Sequence, residues 1–285
     1  MPANGSVAEL PQGPIRYREA GSGDPIVFVH GFLVDGRLWE GTAERLADRY
    51  RCIRPDWPMG SHKAPMHPDA DLSPPGVARL IADFLAALDL DGVTIVGNDS
   101  GGAISQVLVT KHPERIARLV LTNCDSYENF PPFPFGAMGS VARLPGGMTA
   151  LALPFRVGPV RRATYGLFAK RPIPSELVDD WMAPSFGDAA IKRDARKFTL
   201  GVHKRHTLAA AERFAELEIP VLLAWAREDR FFKLADAERL AREIPDARLE
   251  TVGDARTFVP LDQPEWVADQ IGAFVAEKAA NASAA

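Results

Sequence analysis

Short apolar stretches alternate with amphipathic stretches along most of this 285-residue chain. The runs "PIVFV" from Pro25, "VTIVG" from Val93 and "PVLLAWA" from Pro220 are almost continuously apolar, as expected of strands that are buried on both faces. Stretches with helical spacing stand between such runs. Because parallel strands need crossover connections, this alternation predicts an α/β fold with a mostly parallel central sheet and helices on both of its faces.

The alternation stops in the middle of the chain. Between residues 125 and 206, stretches such as "NFPPFPFG" and "RPIPSE" are dense in proline and glycine, and no clear strand pattern is present. We therefore expect a core formed by residues 1–124 and 207–285, with residues 125–206 inserted as a helical cap.

The bulk properties exclude several classes of protein. A net charge of −4 gives no basic surface that would attract nucleic acid or an anionic membrane. No apolar run approaches the roughly 20 residues that a membrane span needs, and the first residues lack a secretory pattern, so we expect a cytoplasmic monomer or homodimer. Cys52 and Cys124 lie in or beside apolar runs and are expected to be buried free thiols. No cofactor fingerprint or metal-ligand cluster is present, so none is predicted.

The segment "VTIVGNDSGGAIS" at residues 93–105 reads as a strand, a sharp glycine-rich turn and the start of a helix. Such an elbow presents a nucleophile at its tip, with a glycine two positions away on either side. Centring the pattern on Asp99 puts Gly97 and Gly101 in these positions, whereas centring it on Ser100 puts Asn98 in the first. Asp99 is therefore the expected nucleophile and Ser100 the donor of a backbone N–H to an oxyanion hole. The alternative is that Asp99 only caps the helix.

Two further loops complete this pattern. "VHGF" follows an apolar strand, and its Phe32 is placed to give a second oxyanion N–H, while the preceding His30 is expected to hold the loop. "AWAREDRFF" ends a later strand with acids, of which Asp229 is placed to be a supporting carboxylate.

With these segments in view, the chain resembles the α/β-hydrolase superfamily. The motifs "HGF", "RPDWPMGSH", "GNDSGG", "LVLTNCD", "AWARED" and "DARTFVPLDQPE" carry the likeness, which is greatest to the aspartate-nucleophile branch of haloalkane and haloacetate dehalogenases and epoxide hydrolases. The resemblance implies that Asp99 attacks carbon to give an alkyl ester, which a histidine-activated water then hydrolyses. The apolar cap suits a small or medium apolar substrate, such as a halide, an epoxide or an ester.

The chain departs from the family in the loop that should carry the histidine. Thr257 occupies that position, and threonine cannot act as a general base near neutral pH. His62, or else His203 or His206, is a candidate replacement. Asp125, after "LTNC", either partners or replaces Asp229 or caps the first cap helix.

The resemblance also suggests substrate contacts in the cap. Dehalogenases often have a halide-binding tryptophan after the nucleophile, where this chain has Ser100, so Trp181 is a candidate indole donor. Epoxide hydrolases use two cap tyrosines, for which Tyr165 and Tyr127 are available.

Three functions stay open from the sequence. The first is a hydrolase that uses Asp99 on an apolar electrophile. The second is a non-hydrolytic enzyme with Asp99 as a base, or a ligand-binding protein on the same scaffold. The third is a serine esterase acting through Ser100.

Overall fold

A computed structural model describes residues 5–284, so residues 1–4 and 285, which the sequence assigns to the core, lie outside the described part. The described residues form a sheet of eight strands in the order β1-β2-β4-β3-β5-β6-β7-β8. Its strands are β1 Ser6–Leu10, β2 Gly13–Ala20, β3 Pro25–Val29, β4 Arg51–Pro55, β5 Val93–Asp99, β6 Ile116–Cys124, β7 Val221–Ala226 and β8 Ala247–Val252.

The sheet is parallel from β4 to β8, and only β2 pairs antiparallel with its neighbours β1 and β4. The carboxyl ends of β3, β5, β6 and β7 therefore meet at one edge. The loops that begin there carry Phe32, Asp99, Asp125 and Asp229, which explains why residues so far apart in sequence share one site.

Helices cover both faces of the sheet. Each face has its own cluster of buried apolar side chains, which confirms the predicted three-layer α/β architecture. The helices of the core are α1 Glu40–Leu46, α2 Pro74–Ala87 and α3 Ser100–Lys111, then α9 Arg205–Ala211, which begins in the last two residues of the cap, and α10 Leu234–Glu243, α11 Val259–Asp262 and α12 Pro264–Ala284. The hydroxyl of Ser73 caps α2 by accepting from the N–H of Gly76 at 3.3 Å.

The segment between β6 and α9 contains helices and turns but no strand. Its α-helices are α4 Met138–Arg143, α5 Gly147–Ala152, α6 Gly158–Tyr165, α7 Ser175–Gly187 and α8 Ala189–Gly201. We call residues 125–206 the cap; the exact division between cap and core remains a prediction.

Both cysteines are buried and unpaired, as expected. Among residues 5–284, no helix combines the length and the apolar character that a membrane crossing demands. The same range contains no cluster of histidine, cysteine and acidic side chains arranged to hold a metal ion.

Candidate active site

Asp99 stands at the junction between β5 and α3 in a backbone conformation that is rare outside glycine. Its φ is 53° and its ψ is −135°, a combination that costs energy for a residue with a side chain. Its carboxylate makes no capping hydrogen bond with α3, although it precedes the first helical residue. The strained backbone is that of an elbow, and helix capping does not account for the residue.

The flanking glycines explain why the tip falls on Asp99. A Cβ on Gly97 would lie 2.6 Å from the Ser105 hydroxyl oxygen, and a Cβ on Gly101 would collide with the backbone oxygens of Val29 and His30. Neither position tolerates a side chain without a shift of its neighbours. The close packing of α3 against both β5 and the end of β3 therefore requires the glycine spacing seen in the sequence.

The Asp99 carboxylate is enclosed by the loop after β3. A Cβ on Gly31 would overlap the Asp99 Oδ2 atom, so this glycine makes room for the carboxylate. The pKa of Asp99 is raised to about 7, mainly by burial and also by the nearby Asp229, whereas hydrogen bonding from the backbone N–H groups of Ser100 and Phe32 opposes the shift. The two expected oxyanion donors thus face this carboxylate.

His30 stabilises the same loop through two hydrogen bonds to backbone groups. Its Nε2 accepts from the Trp57 N–H at 2.8 Å, and its Nδ1 lies 2.8 Å from the Gly31 carbonyl oxygen, which requires the proton to be on Nδ1. Burial lowers the pKa of His30, so the ring is neutral. This histidine positions the loop and does not reach the cavity.

A cavity of about 350 Å³ lies between Asp99 and the cap. Leucine, methionine, proline and phenylalanine side chains form most of its wall. Among the described residues, its charged lining consists of Asp99 on the core side and Lys192 on the cap side. Sequence reasoning did not identify Lys192 as a cavity residue, because the residue spacing in α8 does not show which face of this helix lines the cavity.

Thr257, at the position of the family's histidine, is fully buried and contacts the acid expected to support that histidine. Its hydroxyl donates to Asp229 Oδ1 at 3.1 Å, and the same oxygen accepts from the backbone N–H of Phe231 at 2.8 Å. Burial raises the pKa of Asp229 despite these donors. Asp229 is thus held in place with no imidazole to orient.

Aromatic rings cover this part of the site. Phe168 stacks on Phe258 with ring centroids 5.4 Å apart and on Phe231 with centroids 4.7 Å apart, and Phe135 lies beside them. Phe258, the residue after Thr257, lines the cavity, whereas Thr257 does not. At this position the cavity wall is therefore formed by a phenylalanine ring, and not by the residue that occupies the histidine position.

All six histidines lie within the described residues, and none lines the cavity. His62 is buried beside the cap: its Nδ1 accepts from the Gly60 N–H, and its Nε2 lies 3.3 Å from Asp194 Oδ2. His203 is exposed, and His206 is half-buried at the start of α9. The expectation that one of them replaces the missing base is therefore corrected, because none of the three lines the cavity that Asp99 faces or hydrogen-bonds to Asp99.

Two expectations about the cap also need correction. The Trp181 ring does not line the cavity, because it is fully buried between Tyr165 and Phe258, with ring centroids 5.6 and 6.2 Å away. Tyr165 does line the cavity, but its hydroxyl donates to the Leu33 carbonyl at 2.5 Å. The Tyr127 hydroxyl donates to Glu243, so the two tyrosines do not converge on a ligand.

Asp125 is completely buried, and neither of its carboxylate oxygens has a hydrogen-bond partner. It therefore caps no cap helix, and the first helical turn of the cap begins only at Phe135. Burial, followed by the charge of Asp99, raises the pKa of Asp125 well above its ordinary value. The register of β5 and β6, which pairs Asp99 with Cys124, places Asp125 next to the elbow.

Asn98 organises the loops of the site, a role that sequence reasoning did not assign. Its Nδ2 donates to Thr122 Oγ1 at 2.9 Å and to the Thr257 carbonyl at 2.7 Å, which joins the ends of β5 and β6 to the loop after β8. The sequence signal for this role is that a polar residue directly precedes the tip of the elbow.

Comparison with known proteins places this chain in a family. A model of the alpha/beta hydrolase fold matches residues 24–264. The chain belongs to the alpha/beta hydrolase fold family. Within that family it is similar to haloalkane dehalogenase 2 of Mycobacterium tuberculosis, with 27% identity over 272 residues that cover 91% of each chain.

Solved structures of this family agree with the fold. The epoxide hydrolase CorEH superposes with a TM-score of 0.80 at 19% identity, covering 96% of this chain and 99% of that one. A thermophilic esterase from Thermogutta terrifontis gives a TM-score of 0.75 at 22% identity, again covering 96% and 99%. As a member of this family the chain is a hydrolase-type enzyme, and the epoxide hydrolase and the esterase share its fold.

Proposed function

We propose that the protein uses the Asp99 carboxylate as a nucleophile toward a small or medium apolar electrophile, with an alkyl halide, an epoxide or an ester as the substrate classes. The observation that carries the proposal is the position of Asp99. It lies at the tip of a strained elbow, faces an apolar cavity and receives the N–H groups of Phe32 and Ser100 instead of capping α3.

The chemistry follows from that position. An apolar wall excludes water and holds an apolar electrophile close to the carboxylate, which raises the effective concentration of the two reactants. An Asp99 oxygen forms a bond to the electrophilic carbon while the bond from that carbon to the halide, the epoxide oxygen or the ester oxygen breaks, and the product is an alkyl ester of Asp99. The two N–H groups then stabilise the negative charge that develops on the ester oxygen when the ester is hydrolysed.

A primary alkyl bromide is the sharpest probe, because bromide leaves without a proton. We expect intact-mass spectrometry to detect one added alkyl group per chain, since no histidine stands ready to hydrolyse the ester. Asp99→Asn should abolish the added mass. Asp236→Asn is the matched control, because Asp236 is a partly buried acid with a raised pKa that does not line the cavity. Absence of alkylation with a broad panel of electrophiles would contradict the proposal.

A second candidate is supported by the lack of a histidine in the cavity. In this reading the cavity binds an apolar ligand without turnover, or Asp99 acts as a general base, for which a pKa of about 7 is well matched. Ligand binding that survives in Asp99→Asn, with no adduct in the parent protein, would favour simple binding. Reaction of Ser100 with an organophosphate would instead favour the serine-esterase alternative.

A further inference from the structure

The proposed reaction with Asp99 leaves one buried group unexplained. Asp125 has no exposed surface, and both of its oxygens lack hydrogen-bond partners. Its backbone carbonyl is used, since it accepts from Gln106 Nε2 at 2.8 Å, but the side chain contributes to no described structural contact. A buried carboxyl group without partners costs stability, so a purely structural role does not account for it.

The surroundings of Asp125 determine its protonation state. The carboxylates of Asp99 and Asp229 lie nearby, and among the described residues no basic side chain pairs with Asp125. An ionised carboxylate in such a place would face like charges without compensation. Asp125 is therefore the neutral acid of the site, and Asp99 is the group that carries the negative charge once the pH exceeds its pKa of about 7.

One side chain connects Asp125 to the cavity. The Ser100 hydroxyl is the polar side chain that approaches the Asp125 carboxyl, although their contact does not meet hydrogen-bond geometry in the resting structure. Ser100 also lines the cavity beside Asp99. A hydroxyl group both accepts and donates, so Ser100 can pass a proton between Asp125 and a bound molecule.

We propose that Asp125 and Ser100 form a proton relay that takes over the acid and base steps of the missing histidine, and that the relay suits the protein to epoxides. This inference rests on Asp99 being the nucleophile. Asp125 acts through Ser100, and Ser100 is the group that touches the substrate.

In the first step, an Asp99 oxygen forms a bond to an epoxide carbon and the ring C–O bond breaks. The released ring oxygen takes a proton from Ser100, which takes one from Asp125. The products are a hydroxyalkyl ester on Asp99 and an ionised Asp125. The negative charge has moved from Asp99 to Asp125, so the site never holds two adjacent charges.

In the second step, Asp125 recovers a proton from Ser100, which takes one from water. The resulting hydroxide adds to the carbonyl carbon of the Asp99 ester. The bond between that carbonyl carbon and the oxygen that carries the alkyl group then breaks. The departing alkoxide takes the proton of the newly formed Asp99 acid. The products are a diol, an ionised Asp99 and a protonated Asp125, which is the resting state.

Halide and epoxide therefore make different demands on the relay. A halide leaves as an anion and needs no proton, whereas an epoxide oxygen needs one. We expect Asp125→Asn still to be alkylated by a primary alkyl bromide, with a far smaller loss of rate than with an epoxide. The same variant should consume a terminal epoxide about 100-fold more slowly or worse, the usual cost of losing general acid–base catalysis.

Ser100→Ala keeps the backbone N–H and removes only the hydroxyl, so it should show the same selective loss. If Asp125→Asn does not fold, Ser100→Ala still tests the relay. Asp236→Asn should behave as the parent with both probes.

The outcomes separate the two proposals. If Asp99 is alkylated by the bromide and both variants consume the epoxide at the parent rate, the relay is wrong and the nucleophile stands. If the parent reacts with neither probe, both proposals fail. Equal loss with bromide and epoxide would mean that Asp125 is only structural, which also overturns the relay.

Discussion

At the scale of single residues, three carboxyl groups with raised pKa values surround the elbow. Burial is the first cause for each, and the charge of a neighbouring acid adds to it for Asp99 and Asp125. Asp229 keeps backbone and hydroxyl donors, Asp99 faces two N–H groups, and Asp125 has none. These differences in hydrogen bonding are the basis of the different roles that we propose for the three acids.

The raised pKa of Asp99 predicts a pH dependence of alkylation. Only the carboxylate is nucleophilic, so the rate of alkylation by a primary bromide should rise as the pH increases through about 7 and then level off. Intact-mass time courses between pH 5 and 9 measure it. A rate that is flat across this range would mean that Asp99 is ionised throughout, or is not the reacting group.

The same shift predicts a pH-dependent stability difference. The folded state raises the pKa of Asp99 from 3.8 to about 7, so the folded protein keeps a proton that the unfolded chain loses between these values. Its contribution to stability is lost as the pH rises through this window. Asp99→Asn has no such group and does not lose this stability. The melting temperature of Asp99→Asn minus that of the parent should therefore increase from pH 4 to pH 7. A constant difference would contradict the shift.

Replacement of Thr257 by histidine is expected to give the protein turnover. Thr257→His would bring an imidazole next to Asp229, and the ester formed from an alkyl bromide should then be hydrolysed. Bromide release should exceed one equivalent per chain, whereas Thr257→Ala should stop at one. The larger ring enters a fully buried position, so we expect about 1–3 kcal/mol of destabilisation. Release that stops at one equivalent in a folded Thr257→His protein would show that a base at this position is not what turnover lacks.

At the scale of elements, the strand–turn–helix unit of β5 and α3 fixes the geometry of the site. Gly101 packs against the carbonyl groups at the end of β3. Gly101→Val should therefore lower the melting temperature sharply or prevent folding. Gly187→Val is the matched control, because Gly187 is exposed at the end of α7 and a Cβ there meets nothing within 4 Å. Equal melting of the two variants would contradict the elbow packing.

How much of this could be read from sequence depends on the range of the contacts. The elbow was predictable because its glycine spacing is local, and the sheet because buried strands and helices alternate. The environment of His62 was not, because its partner Asp194 lies 132 residues away. The environment of Trp181 was not predictable either, because an indole at helical spacing is equally consistent with a core and with a cavity wall.

At the scale of the whole molecule, the apolar cavity is formed where cap and core meet. Its wall suggests that binding depends on apolar contact, independently of the chemistry at Asp99. A neutral apolar ligand should therefore raise the melting temperature of both the parent and Asp99→Asn. Leu151→Glu should remove this effect, because Leu151 lines the cavity.

Leu153→Glu is the matched control for that prediction. Leu153 lies two residues further along, is 61% exposed and does not line the cavity, so its replacement should leave ligand stabilisation intact. Thermal melting with and without ligand gives the comparison. Loss of stabilisation in both leucine variants would place the ligand elsewhere or indicate a damaged cap.

The central claim is that the nucleophile is the carboxylate at the tip of the elbow. Fragment-mass sequencing of the proteolysed, alkyl-bromide-treated protein tests it most directly, because it assigns the added group to a residue. The account predicts the alkyl group on Asp99. An alkyl group found on Ser100 or on any other residue, with Asp99 unmodified, would contradict it.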